Sequence, residues 1–396
     1  MKRPGSSADI LEGGPSRPDV SMKPCYLRRP ALLLLLALAP ASPALHAETI
    51  PQPSPSLASG VEQALGAFNP PGAIVLFQER GNVRYERHFG FADHAAGRRV
   101  DSKTTFRAGA ISMFVTAVLV HRLADAAVID LTAPLENYFG TGFIPDRMTI
   151  EGGRVEPRPR NAAALLDGSS GLASRRLRGG LPVAHATARR SLEHVLADIS
   201  PHFEDPVPGQ ELESCILGRI VERVTGLDFA AAADTYLFGP ADMGTATFRP
   251  ENARNPALGY ELRQQDLTPV EAVYYNATPA LSLALSATDM SHLLAFVLGD
   301  GAAAAGRLLD RDSARALLSQ DQTELLAGSM RNGLIVLVRR NQLVLAAEGT
   351  VPGFRSRLLI LPAAGRALFV STNINDRSIG FVERVSEQWL AGQLAD

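Results

Sequence analysis

Strand-forming sequence sits at both ends of this 396-residue chain, and helix-forming sequence fills the middle. Gly72 to Gln78 and Val83 to Phe91 are rich in β-branched and aromatic residues and are split by Arg80-Gly81-Asn82, a hairpin signal. From Thr105 to about Ile129 the apolar spacing turns helical, and the chain stays mainly helical, with long loops, to about residue 330. Strands return at Gly333 to Arg339, Leu343 to Ala347, Arg355 to Leu361 and Arg366 to Thr372, with turns at Arg340-Asn341 and Ala364-Gly365. An amphipathic stretch from Leu57 to Phe68, ended by Pro70-Pro71, and a last helix from about Ile379 to Gln393 bracket the whole. Strand backbones need partners, so the two ends are expected to meet. The pattern predicts an α/β (α+β) fold: one antiparallel sheet built from both termini, flanked by the terminal helices, with a mainly helical lobe inserted between.

The first residues read as a leader ahead of the domain. Arg28 and Arg29 precede the apolar run Ala31 to Ala39, followed by Pro40, Pro43 and a plausible cut after Ala47, the layout of a secretory signal. Residues 1–21 carry Asp9, Glu12 and Asp19, unlike a positively charged leader start, and read as an upstream extension ahead of Met22. The expected organisation is an extension at 1–21, a signal peptide at 22–47, a linker at 48–56 and one domain at 57–396, with the helical lobe at about 118–330. The run is short for a membrane span, and Cys25 lies ahead of it rather than at the cut, which argues against a lipid anchor. The expected location is periplasmic or secreted, with no stable membrane span after cleavage.

Composition is ordinary for a globular chain with a sizeable core: 46% hydrophobic, 20% charged, net charge −2. No basic excess points to nucleic acid. After the leader only Cys215 remains, which cannot close an intrachain disulfide and reads as a small core residue.

The segment Phe106-Arg107-Ala108-Gly109-Ala110-Ile111-Ser112-Met113 opens the long apolar helix and resembles the nucleophile helix of the serine β-lactamase and penicillin-binding-protein superfamily, in the branch of class C β-lactamases, esterases and D-amino peptidases. Further similarity lies in Leu165-Leu166-Asp167-Gly168-Ser169-Ser170-Gly171-Leu172, in Pro208-Gly209 followed by Leu217-Gly218 to Thr225-Gly226, and in Pro240-Ala241-Asp242-Met243, Thr288-Asp289-Met290, Val351-Pro352-Gly353-Phe354 and Ser371-Thr372-Asn373. The resemblance spans most of the chain after residue 57 and implies the β-lactamase/transpeptidase-like fold.

The residues that carry out chemistry in that family are missing here. Its helix bears Ser-x-x-Lys, one turn apart on one face, so that the lysine can take the serine's proton. The serine position is Ala110 and the lysine position is Met113. Lys103 is the only lysine after the leader, and the position three before it is Val100, so shifting the register restores nothing. The family's Tyr-x-Asn should lie between Pro208-Gly209 and Leu217-Gly218, yet Gln210 to Ile216 hold neither residue. Its Lys-Thr-Gly or His-x-Gly reduces to Ala347-Glu348-Gly349, where only the glycine survives. Ala110, Met113 and Ala347 are thus vestigial positions with no catalytic residue among them. Backbone amides survive side-chain replacement, and the resemblance assigns the old oxyanion hole to those of Ala110 and Thr350, beside Gly349.

Substitute nucleophiles are weak candidates. Ser112 lies two residues, about 200° of helix rotation, from Ala110 and should face away from it. Ser169 and Ser170 fall in a Gly-Ser-Ser-Gly turn rather than a Gly-x-Ser-x-Gly elbow. His185, His194 and His202 are spaced by nine and eight, which does not pair two imidazoles on a metal, and His121 reads as a core histidine. Arg154, Arg158, Arg160 and the run Arg175-Arg176-Leu177-Arg178 read as solvated loop charge. No metal or cofactor is expected. The sequence favours a catalytically inactive relative, a pseudoenzyme holding a peptide, a peptidoglycan fragment or a small carboxylate in the old cleft, or meeting an envelope protein. The alternative is a serine hydrolase, a weak esterase or β-lactamase/D-amino peptidase-like enzyme, with a relocated nucleophile.

Overall fold

The computed structural model describes residues 55–141, 150–151, 154–155, 160–170, 172, 182–183, 185–197, 210–264, 266–303, 306–319, 327–375 and 380–394. All lie within one compact unit, Ile50–Asp396. The expected leader, and with it Arg158, Arg175, Arg176, Arg178 and His202, lie outside the described residues.

The two ends of the chain do build one sheet. Its strands are β1 (Gly72–Glu79), β2 (Asn82–Asp93), β3 (Arg98–Arg99), β4 (Met330–Arg331), β5 (Leu334–Arg339), β6 (Gln342–Val351), β7 (Phe354–Leu361) and β8 (Arg366–Thr372). They run in the order β4-β5-β6-β7-β8-β1-β2-β3, and every neighbouring pair is antiparallel. The join between the termini is β1 against β8, with Val75 opposite Val370 and Phe77 opposite Leu368. Both faces are covered, which is why β1 and β8 read as near-continuous apolar runs rather than alternating ones. One face packs under α1 (Pro55–Phe68) and α5 (Phe381–Gln393), where Trp389 meets Phe77 edge-on at 5.8 Å. The other packs on the lobe, through α2 (Ile111–Asp125), on which α3 (Glu211–Thr225) rests, and through α4 (Ala287–Leu298).

Turns follow their residues. Arg340 and Asn341 both take positive φ, 48° and 62°, the two-residue hairpin conformation whose twist matches the strands it joins. Ser286 and Asp289 cap α4 reciprocally, each side chain bonding the other's backbone N–H.

The lobe is less purely helical than the sequence predicts. Phe106–Arg107, expected as the first turn of a helix, is a short strand paired with Ala284–Leu285, and α2 starts only at Ile111. Tyr260–Arg263 and Asp266–Pro269 form a hairpin inside the helical region, turning at Gln264 with φ 52°. β6 also runs to Val351 rather than ending near Ala347. That extension keeps the whole third vestigial motif, Ala347-Glu348-Gly349, on the strand.

Candidate functional site

The amino end of α2 meets the middle of β6 where two glycines leave no room for side chains. A Cβ on Gly349 would stand 1.8 Å from the Ala108 carbonyl oxygen, and one on Gly109, whose φ is +55°, would stand 2.9 Å from the Thr350 nitrogen. Glycine is the residue that permits both the left-handed turn and the close approach. Val351 and Phe354 flank the two-residue turn Pro352-Gly353, so Thr350 opposite Arg355 falls on a non-hydrogen-bonded pair of the ladder. The Thr350 N–H therefore points off β7, toward Gly109 and Ala110, beyond the reach of β5, whose register ends at Ala346.

Ala110 occupies the N-cap of α2 with no side-chain cap. The first bonds of this end run from Ile111 N–H to the Ala108 carbonyl, from Ser112 N–H to Gly109 and from Met113 N–H to Ala110, all after the Ala110 N–H. No acidic residue sits in the first turn to neutralise the positive end of the helix. Ala110, Gly349 and Thr350, the three residues that the sequence assigns to ligand binding, are thus brought together.

The floor beneath is apolar. Met113 is 6% exposed, and Ala347 shares its hydrophobic cluster. Ala347 projects from the same face of β6 as Gly349, two residues on. Against the backbone of Met113 lies Gly333, where a Cβ would come within 2.4 Å of the Met113 carbonyl carbon and the Phe114 nitrogen. Gln210, the N-cap of α3, fixes that turn: its Oε1 accepts the Gly333 N–H at 2.8 Å, and its Nε2 donates to the carbonyls of Leu165 at 2.8 Å and Leu166 at 3.2 Å. Gln210 lies in the interval where the resemblance calls for Tyr-x-Asn, and its amide serves only as a backbone clamp.

Ser112 is fully buried, donating to the Gly109 carbonyl at 2.5 Å and accepting from the Leu283 N–H at 2.9 Å. Its hydroxyl locks the amino end of α2 to the lobe, the packing role that its helical phase predicts. Ser169 is exposed, with its N–H on the Asp167 carboxylate. Ser170 is 3% exposed, accepts from the Leu172 N–H at 3.2 Å and acts on the carboxyl of Glu213. His121 is buried with Nε2 3.4 Å from the Asn332 Oδ1, and burial holds its imidazole below the ordinary range.

Glu213 was not legible as a site residue. It is 4% exposed, one of its carboxylate oxygens has no partner, and burial pushes its carboxyl up to about 7, against a smaller lowering by its own N–H and by Ser170. An acid followed by Ser214 within the mainly apolar run Leu212 to Leu217 is the signal that could have found it. Among the described residues no group of three His, Cys, Asp or Glu side chains is placed to hold a metal ion, and no helix is long and apolar enough to cross a membrane.

Comparison with known proteins agrees with this geometry. The sequence profile of the Beta-lactamase family matches residues 60–387. Esterase EstB of Burkholderia gladioli is 28% identical over 210 residues, a match taking in 49% of this chain and 52% of the esterase, so the chain spans about half the length of that relative. The octameric penicillin-binding protein homologue of Pyrococcus abyssi superposes with a TM-score of 0.64 at 18% identity, covering 85% of this chain and 77% of that one. A class C β-lactamase of Rhodobacter sphaeroides does so with a TM-score of 0.62 at 18% identity, covering 86% and 100%. A match across most of the chain, on the same antiparallel sheet with its helical lobe, means that this protein belongs to the β-lactamase family and has its serine-hydrolase fold.

Proposed function

We propose that this protein is an exported, non-acylating member of the family that binds a carbonyl- or carboxylate-bearing ligand, such as a peptide, a peptidoglycan fragment or a small acid, at the amides of Ala110 and Thr350. One observation carries the reading: the close approach of Gly349 and Gly109 keeps the Thr350 N–H aimed at the amino end of α2, while Ala110, Met113 and Ala347 offer no hydroxyl and no base. Two backbone donors at the positive end of a helix stabilise a carbonyl or carboxylate oxygen. Acylation also needs a nucleophile and a group to take its proton, and an alkyl and a thioether side chain supply neither. The leader-like pattern before Ala47 supports export.

Intact-mass spectrometry after incubation with a fluorescent penicillin and with a fluorophosphonate tests this directly. The expected result is unmodified protein with both probes, alongside reversible binding of small acyl ligands. A stoichiometric adduct overturns it.

A second reading has its own observation. Ser170 and Glu213 are both buried, and the serine acts on a carboxyl raised to about 7, the pairing a relocated hydrolase would use. An adduct mapped to Ser170, and lost in Glu213→Gln, would establish that reading instead.

A further inference from the structure

Arg107 stands three residues ahead of Ala110, on the short strand paired with Ala284–Leu285. Its Nη2 donates to the Val273 carbonyl, and its guanidinium carbon lies 5.8 Å from the ring centre of Tyr274 and 6.0 Å from that of Tyr275. Tyr275 in turn packs on the cluster of Phe106, Val351 and Phe354. Val351 follows Thr350 directly, and Arg107 precedes Ala110 by three residues, so Tyr275 and Arg107 are tied to the two segments that carry the cradle amides.

Among the described residues no carboxylate pairs with Arg107. The acid that acts on it, Glu251, is held by Arg189. Glu211 acts on Tyr275 from the start of α3, and Glu271 lies in the open groove that Tyr274 shares with His185 and Thr187. Burial lowers the proton affinity of Arg107, partly offset by the two tyrosines and Glu251, yet a guanidinium stays charged in proteins. A largely desolvated cation normally has an anionic partner, because a carbonyl and ring faces leave much of its fork unused. Arginine reads planar oxyanions with that fork.

We infer that Arg107, flanked by Tyr274 and Tyr275, is an anion-reading subsite of the cleft, so that the ligand places a carbonyl at the Ala110 and Thr350 amides and a separate carboxylate at Arg107. This rests on the binding function proposed above and specifies its ligand. The carboxylate is attached to the same small molecule as the carbonyl, at a distance set by the span between cradle and guanidinium.

Calorimetric titration of the whole mature protein with monoamides of succinate, glutarate and adipate, each against its neutral diamide, tests it. At least one monoamide should bind on the order of tenfold tighter than its diamide, the effect of one charge-assisted contact. Arg107→Gln should bring that ratio close to one while leaving the diamide unchanged, and Arg107→Lys should restore part of it. Three results overturn the inference: a ratio that persists in Arg107→Gln, which puts the anion on the amide cradle; an equal weakening of both ligands with a fall in melting temperature, which makes Arg107 only a strap to Val273; or no binding of any probe to the unaltered protein. None of these is the penicillin or fluorophosphonate adduct that would overturn the parent reading.

Discussion

Two sides of one cleft differ in what they keep. Where β6 meets the chain ahead of α2, Gly109, Gly349 and Thr350 hold the two so close that no side chain fits between, and backbone amides are kept together. On the side beneath the first turn of α2, Met113, Ala347 and the Gln210-clamped turn at Gly333 fill the space with apolar atoms and backbone, and none of these side chains can transfer a proton. A backbone site is set by sterics and ladder register, whereas a catalytic site also needs particular functional groups. The first can therefore outlast the second in one fold.

The sharpest way to break that contrast is at Gly349. A Cβ there meets backbone, which cannot swing aside, so Gly349→Ala should cost about 4 kcal/mol of stability and abolish acyl-ligand binding together, read by denaturant melts and calorimetry. Retained stability with lost binding would show that the junction serves the ligand alone.

Glu213 comes next. Its carboxyl titrates at about 7 in the folded state against 4.5 in the unfolded chain, so the folded state binds more protons between those values. Stability should therefore fall as pH rises from about 4.5 to about 7, by about 3 kcal/mol, then level off. In Glu213→Gln that slope should vanish. A slope that survives would place the titrating group elsewhere.

Restoring side chains tests the other half. Met113→Lys combined with Ala110→Ser buries an amine on an apolar floor, at a cost of about 2 kcal/mol, and should yield no penicillin adduct, since Tyr-x-Asn and the third motif stay absent. An adduct would mean that the α2 side is closer to competence than its fill suggests. Smallest is Ser112→Ala, which removes the hydroxyl joining Gly109 to Leu283 and should cost about 1 kcal/mol with acyl-ligand binding unchanged.

The sheet was readable because its signals are local. Alternating and continuous apolar runs, and turn residues such as Arg340-Asn341, say where a strand starts and stops. The strand at Phe106–Arg107 was not, because its partner Ala284–Leu285 is far along the chain and two residues give no period. The Tyr260–Pro269 hairpin was missed because Gln264 makes the turn without glycine. In the site, a resemblance of motifs placed Ala110, Met113, Ala347, Gly349 and Thr350, since each has a counted offset. Arg107, Tyr275 and Glu213 depend on what several elements bring together, which no spacing encodes.

The pinch of Gly333 on the backbone of Met113, together with that of Gly349 on Ala108, holds α2 in its first turn and holds the chain three residues ahead of it. A helix held in this way has little freedom to freeze when a ligand arrives. Association at this cleft should then carry a small entropic penalty and proceed without a closing motion, so that its selectivity comes from fit to a standing shape.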